Sequence, residues 1–385
     1  MNIGDELVVD ISNVAHGGHF VARHDGRVIF VRHAITGERV KIRITELSKN
    51  FARADVIEVI ESSSARVKPG CDYARPGGCG GCDFQHIDPV QQRKFKAEII
   101  KEQFKRLAKL EIDIEVEEVL PTLGWRSRME FSVSENRTIA MFKARSNTLI
   151  EIAECRIAHE EIDIPKLNSL KLPVGKKVVV AVGSDDRVIA AIEGRENFKL
   201  VHQKVGSFEF SLAPESFWQS HIRAPETLLD CVLSFAELRS GDHLYDLYSG
   251  VGLFASGAID IVGEAGRITM IEESASAVTD ARRNFANFQN VEIVEGKVER
   301  ELKQFVRADV VVLDPPRSGA GERVLRQIVA LSPRTLVYVA CDPAALARDT
   351  VTLEAMDYSL DGIRAFDLFP MTQHIESVAR FIRQG

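Results

Sequence analysis

The chain has 385 residues, 45% of them apolar and 27% charged, and a formal net charge of −7. That length predicts two or three globular domains, no apolar run reaches the ~18 residues a membrane helix needs, and the acidic balance argues against a protein that coats nucleic acid by charge alone. Met1 to Glu6 show neither a basic nor an apolar leader region. The expected compartment is therefore the cytoplasm, with a monomer assumed and no membrane partner. Six cysteines in that compartment are expected to be ligands, nucleophiles or core filler rather than disulfides.

Residues 1–62 alternate on a short period in five runs: 7–11, 20–23, 28–31, 39–44 and 54–60. Gly17-Gly18, Asp25-Gly26 and Thr36-Gly37 separate the first four. Short strands with tight turns predict a small, OB-like antiparallel barrel, and Asp25-Gly26 is a hairpin signal because both residues tolerate positive φ. The alternation from Arg39 to Arg43 puts charge on the outer face. From Val21 to Arg53 eight Lys/Arg stand against three acids, which makes a candidate basic face. A basic, aromatic-bearing barrel is a common nucleic-acid binder; a spacer or protein-binding barrel is the alternative. Through the Ser12–Gly18 turn and the Phe30–Ala34 stretch the segment resembles a TRAM domain, which implies RNA as the partner.

Residues 63–205 are expected to form a central β-rich domain. It opens on Cys71, Cys79 and Cys82, the last two framing Gly80-Gly81. Small residues between thiolates let the backbone wrap a metal centre. Cys155 is the expected fourth ligand, with Cys231 and Cys341 as alternatives. Four thiolates suit zinc or a 4Fe–4S cluster, and the uneven spacing leans toward the cluster. Residues 90–109 read as an amphipathic helix, capped by Asp88 and expected to pack on the C-terminal domain. Beyond it, Arg126 and Arg128 flank Ser127 beside Trp125; they are either a phosphate grip or solvated strand arginines.

The last part, residues 206–385, changes to alternating strands and helices, which predicts a Rossmann-like doubly wound parallel sheet. Strands are expected at 242–248, 267–272, 291–294, 309–314 and 336–340. Ser249-Gly250-Val251-Gly252 is a glycine turn opening a helix, suited to close approach by a nucleotide cofactor. Glu272, with Glu273 as alternative, ends the second strand where ribose hydroxyls would lie. These features do not separate nicotinamide cofactors from S-adenosylmethionine. The fourth strand does, because it ends Asp314-Pro315-Pro316, a rigid loop a dehydrogenase has no need of. The fifth strand runs into Cys341, and Pro343 ends the run. One sheet edge thus collects Tyr248, Gly250, Gly252, Glu272, Asp314 and Cys341.

A thiolate beside a methyl donor fits addition to C6 of a pyrimidine, methylation of C5, and removal of the C5 proton by a base. Glu376 is the expected base and His374 the runner-up. The motifs DLYSGVGLF (246–254), LDPPRSG (313–319), VACDP (339–343) and FPMTQHIE (369–376) together resemble the RNA uridine-C5 methyltransferase family across essentially the whole chain. The resemblance implies Cys341 as nucleophile and Glu376 as base. It implies cofactor contacts at Tyr248, Glu272, Asp314 and Gln219, and a 4Fe–4S cluster on Cys71, Cys79, Cys82 and Cys155. Leu253 and Met371 depart from the family pattern, where a polar Asn and a His are usual. The expected substrate is 23S ribosomal RNA, with transfer RNA second, and the target base should be flipped out of its stack. The competing readings are an iron–sulfur redox enzyme with a nicotinamide cofactor and a non-enzymatic RNA-binding protein.

Overall fold

In the computed structural model, which describes residues 1–384, four sheets follow one another along the chain. The first contains β1 (Glu6–Asp10), β2 (Asn13–Ala15), β3 (His19–His24), β4 (Arg27–Arg32), β5 (Arg39–Leu47) and β6 (Phe51–Glu61), in the order β1-β5-β6-β4-β3-β2. It has one strand more than the sequence suggests, because β2 is too short to show alternation. It also contains one parallel pair, β4 with β6, in place of a purely antiparallel set. Asp25 and Gly26 close the β3–β4 hairpin with φ of 48° and 76°, the backbone a two-residue hairpin of this hand requires. Val40, Ile42 and Ile44 point inward while Arg39 and Arg43 face solvent. Half of the basic residues of this face are paired within the protein: Lys41 and Arg43 meet Glu6, Arg53 meets Glu46, and Arg32 meets Asp83.

Helix α1 (Pro89–Gln103) starts at Asp88, whose carboxylate accepts the Val90 and Gln91 N–H groups. It widens into a π-helical turn over Phe104–Ala108 and stops at Lys109, φ 60°. The short β7 (Val116–Glu118) follows. The central sheet holds β8 (Arg128–Val133), β9 (Ile139–Phe142), β10 (Leu149–Glu151), β11 (Lys177–Val182) and β12 (Val188–Ile192), in the order β10-β9-β8-β11-β12, with helix α2 (Ile164–Asn168) beside it. A hairpin of β13 (Val201–Val205) and β14 (Phe208–Leu212) leads out of it.

The C-terminal part runs α3 (Ala224–Ala236), β15 (His243–Leu247), α4 (Leu253–Val262), β16 (Arg267–Glu272), α5 (Ala275–Asn284), β17 (Val291–Glu295), α6 (Val298–Glu301), β18 (Val310–Leu313), α7 (Gly321–Ala330), β19 (Thr335–Ala340), α8 (Pro343–Glu354), β20 (Tyr358–Asp367) and β21 (Glu376–Arg383). The sheet order is β17-β16-β15-β18-β19-β21-β20-β7. The five strands from β17 to β19 are parallel, and β21 runs antiparallel between β19 and β20. Order reverses at β15/β18, the switch point where open α/β sheets bind their ligands.

Val116–Glu118 joins this last sheet, parallel to β20, rather than the central one. Helix α1 comes with it, packing against α8 and β7. Lys96 of α1 is wholly buried; its ammonium donates to Asp367 Oδ1 at 2.6 Å and to the Phe369 carbonyl at 3.0 Å. One apolar core runs from the N-terminal sheet through α1 into the C-terminal sheet, with Phe20 edge-on to Phe95 at 5.3 Å. The N-terminal module is therefore seated on the C-terminal half.

Candidate active site

The turn after β15 is wound by three left-handed residues: Tyr248 (φ 58°), Gly250 (φ 54°) and Gly252 (φ 94°). At Gly252 a Cβ would lie 2.4 Å from the Phe285 ring and 2.7 Å from Met270 Cε, so only glycine lets α4 start this close to the sheet. Gly250 has nothing within 4 Å of such a Cβ and opens to the outside. Glu272 braces the turn: Oε2 accepts the Gly250 N–H at 2.9 Å and Oε1 the Ser274 N–H at 2.7 Å. Asp246, for which the sequence suggested no role, lies beneath. One of its oxygens accepts the Ala255 N–H at 3.0 Å, while Oδ1 and the nearby Ser249 Oγ are buried without a partner. Burial pushes its pKa well up, and Asp314 and Glu272 add to that. An open glycine above orphaned buried acceptors is a cradle suited to a cofactor with its own donors. Gln219 is buried in the segment Ser216–Ser220, which Ser216 ties to α5 by donating to Asp280 at 2.6 Å. Leu253, where a polar contact is absent from this chain, is buried in the core below.

The neighbouring strand ends bring Asp314, Cys341 and Glu376 together. In the antiparallel β19–β21 pair Ala340 is opposite Ser377. Cys341 and Glu376, one step outward on each strand, therefore face each other across the edge. Glu376 is 4% exposed, so it is not a surface acid. Burial, then Glu376 and Asp314, raise the Cys341 thiol to about 11, with Arg317 opposing. Burial raises Asp314 to about 7. Glu376 is driven well above the usual carboxylate range by burial and by Asp314, again opposed by Arg317. Two acids and a thiol share one edge, and the exposed Arg317 is the cation that offsets them.

Above Cys341 lies a cavity of ≈ 160 Å³, walled by Arg317, Asp342, Gln373 and His374 and, from the N-terminal sheet, His16 and Gly17. Burial, Arg317, Lys96 and Arg126 lower His374 to about 4, which leaves it an uncharged wall at neutral pH.

Cys71, Cys79, Cys82 and Cys155 line a second cavity, with Arg126 in its wall and all four thiols free. Among the described residues no group of three or more His, Cys, Asp or Glu side chains is close enough to hold a metal ion. The Arg126-Ser127-Arg128 reading is overturned in both its forms. Arg128 is buried, donating to the Pro214 and Ser216 carbonyls at 2.9 and 2.6 Å, and Arg126 lies against the thiols and Trp125. This region supports the strand carrying Glu376. Met371 packs with Trp125 and Ile157, against Cys82, Cys155 and Phe369, and its carbonyl accepts the Phe84 N–H at 3.0 Å. Met371 is thus an apolar core residue of the loop before Glu376.

The TRAM domain family matches residues 2–57, and the family described as tRNA (Uracil-5-)-methyltransferase matches residues 262–384. A Streptomyces avermitilis protein described as an uncharacterized RNA methyltransferase is 38% identical, covering 98% of each chain. The chain belongs to the RNA methyltransferase family of these relatives. A further RNA methyltransferase of this description, from Bifidobacterium longum, is 34% identical over 97% of this chain and 96% of its own. The protein-L-isoaspartate(D-aspartate) O-methyltransferase family matches residues 173–311, a stretch that includes the glycine turn. The fold is shared with the Pyrococcus abyssi tRNA (uracil-54, C5)-methyltransferase solved with S-adenosyl-L-homocysteine. That likeness has a TM-score of 0.76 and 22% identity, covering 98% of this chain and 100% of that one. No helix is long and apolar enough to cross a membrane.

Proposed function

We propose that this methyltransferase modifies C5 of one uridine in 23S ribosomal RNA by covalent catalysis from Cys341, in the cytoplasm. The observation that carries the mechanism is the meeting of Cys341, Glu376 and Asp314 at one strand edge beneath a pocket. The Cys341 thiolate adds to C6 of the flipped base, which leaves C5 nucleophilic; C5 takes the methyl group. Glu376, as carboxylate, removes the C5 proton, and the C5–C6 π bond reforms as the thiolate leaves. Tyr248, Gly250, Gly252, Glu272, Asp314 and Gln219 would hold S-adenosylmethionine, which would supply the electrophilic methyl. Arg317 stabilises anionic charge as the thiol is deprotonated.

The four cysteines of the cavity would hold a 4Fe–4S cluster, with zinc as the alternative. Its role here is to hold the Met371 loop and with it Glu376. Ribosomal RNA is the first choice on the sequence reading of a small barrel joined to a cysteine-bearing domain, a combination the fold of the Pyrococcus transfer-RNA enzyme also spans. Transfer RNA is the second reading, favoured by the matched family's description and by the substrate named for the Pyrococcus enzyme. Mass mapping of 5-methyluridine in both RNAs from a strain lacking the gene decides between them. Cys341→Ala should abolish methylation while S-adenosylmethionine still binds by calorimetry; turnover in that variant refutes the mechanism.

A further inference from the structure

The N-terminal module reaches the catalytic pocket itself. Its Ser12–Gly18 turn carries His16, whose Nε2 lies 3.0 Å from Asp342 Oδ2, 326 residues later in the chain. Asp342 directly follows Cys341. Its other oxygen accepts the Ala345 N–H at 2.8 Å and caps α8. One carboxylate thus joins the barrel to the segment that bears the thiol. The contact is backed by packing. At Gly18 (φ 70°) a Cβ would lie 2.3 Å from Gln373 Cβ, so the turn is pressed flat on the loop leading to Glu376. His16 and Gly17 then form the wall of the ≈ 160 Å³ cavity opposite Arg317 and His374. A module kept only for gripping distant RNA phosphates would have no reason to close this pocket.

We propose that His16 is a positioning residue for methyl transfer, holding the Cys341 segment in register through Asp342, and that the barrel turn is one wall of the target-uridine pocket. The inference rests on Cys341 being the nucleophile. It assigns the barrel a part in the chemical step as well as in RNA affinity.

The test is steady-state methylation of ribosomal and transfer RNA by the full-length enzyme. Variants are His16→Ala, His16→Gln, Asp342→Ser and the double variant His16→Ala/Asp342→Ser. Glutamine keeps a nitrogen at the reach of Nε2. Serine keeps a helix cap and loses the oxygen that meets His16. Because small displacements of a reacting group cost up to ~100-fold, His16→Ala should lower kcat by roughly 10- to 100-fold. It should leave KM for RNA within about twofold. His16→Gln should recover most of the rate, and the double variant should be no worse than Asp342→Ser alone. The rate of covalent capture by 5-fluorouridine RNA should fall with kcat. An unchanged kcat in His16→Ala, a change confined to KM, absence of rescue by Gln, or additive losses in the double variant would each overturn the proposal. If His16→Ala does not fold, the loss in Asp342→Ser and the rate of His16→Gln decide it in the same way. A wild-type enzyme that methylates no uridine contradicts the function instead, and is seen before any variant is made.

Discussion

Replacing Asp314 by Asn should make Cys341 more reactive toward a simple alkylating agent while removing methylation. The thiol pKa of about 11 leaves about one thiolate per thousand molecules at pH 8, the difference being three pH units. Asp314, raised to about 7, is then largely ionised and is one of the charges holding the thiol up. Removing a like charge at this range lowers the thiol pKa by about one unit, a roughly tenfold gain in thiolate. A less basic thiolate is also a weaker nucleophile, with a Brønsted slope near ~0.45, so the net gain is about threefold. The assay is iodoacetamide labelling of the unliganded enzyme at pH 8, read by mass spectrometry on the Cys341 peptide. Cys231, buried in α3, serves as internal reference. In the wild type the Cys341 rate should also rise with pH from 7 to 9, by less than tenfold per unit because Asp314 ionises over the same range. Labelling that is unchanged or slower in Asp314→Asn, or a wild-type rate flat below pH 8, would refute the account of the thiol.

Gly252→Ala must place a Cβ against Phe285 and Met270 in a left-handed backbone. The strain and overpacking together should cost about 2–5 kcal/mol, visible as a drop of several degrees in Tm and weaker S-adenosylmethionine binding. Lys96→Met would leave Asp367 buried without its cation. It should destabilise the fold by about 3–5 kcal/mol in urea titration, and an unchanged midpoint would show that the pair does not tie α1 to β20. Protein purified without oxygen should carry about four irons per chain. Cys79→Ser should lose them and, by loosening the Met371 loop, lower kcat more than it weakens S-adenosylmethionine binding. One zinc per chain, or no metal at all, would contradict the cluster.

The parallel strands of the C-terminal sheet were legible because strands buried on both faces are continuous apolar runs, and Val310–Leu313 and Thr335–Ala340 are fully buried. β20 was not legible. Its burial is irregular, a bulge lies between Leu360 and Gly362, and its partner β7 has only three residues. The candidate site divides in the same way. Cys341, Asp314 and Glu376 stand at strand ends inside local motifs, so their meeting could be inferred from strand order. Arg128 could not be read, because its partners Pro214 and Ser216 are more than eighty residues away and are backbone carbonyls. His16 lay within a turn the sequence did single out, but nothing local shows that the turn ends against Asp342. Asp246 sits in a strand whose neighbours are all apolar or aromatic, and only its orphaned oxygen sets it apart.

Covalent chemistry at one sulfur can be observed without knowing the natural RNA. The enzyme is incubated with S-adenosylmethionine and 5-fluorouridine-substituted ribosomal or transfer RNA, digested, and mapped by mass spectrometry. With fluorine at C5 there is no proton for Glu376 to remove, so the complex should stall as a methylated nucleotide bonded to the Cys341 peptide, and Cys341→Ala should yield none. An adduct on any other residue, or methylated RNA with no adduct at all, would contradict the account.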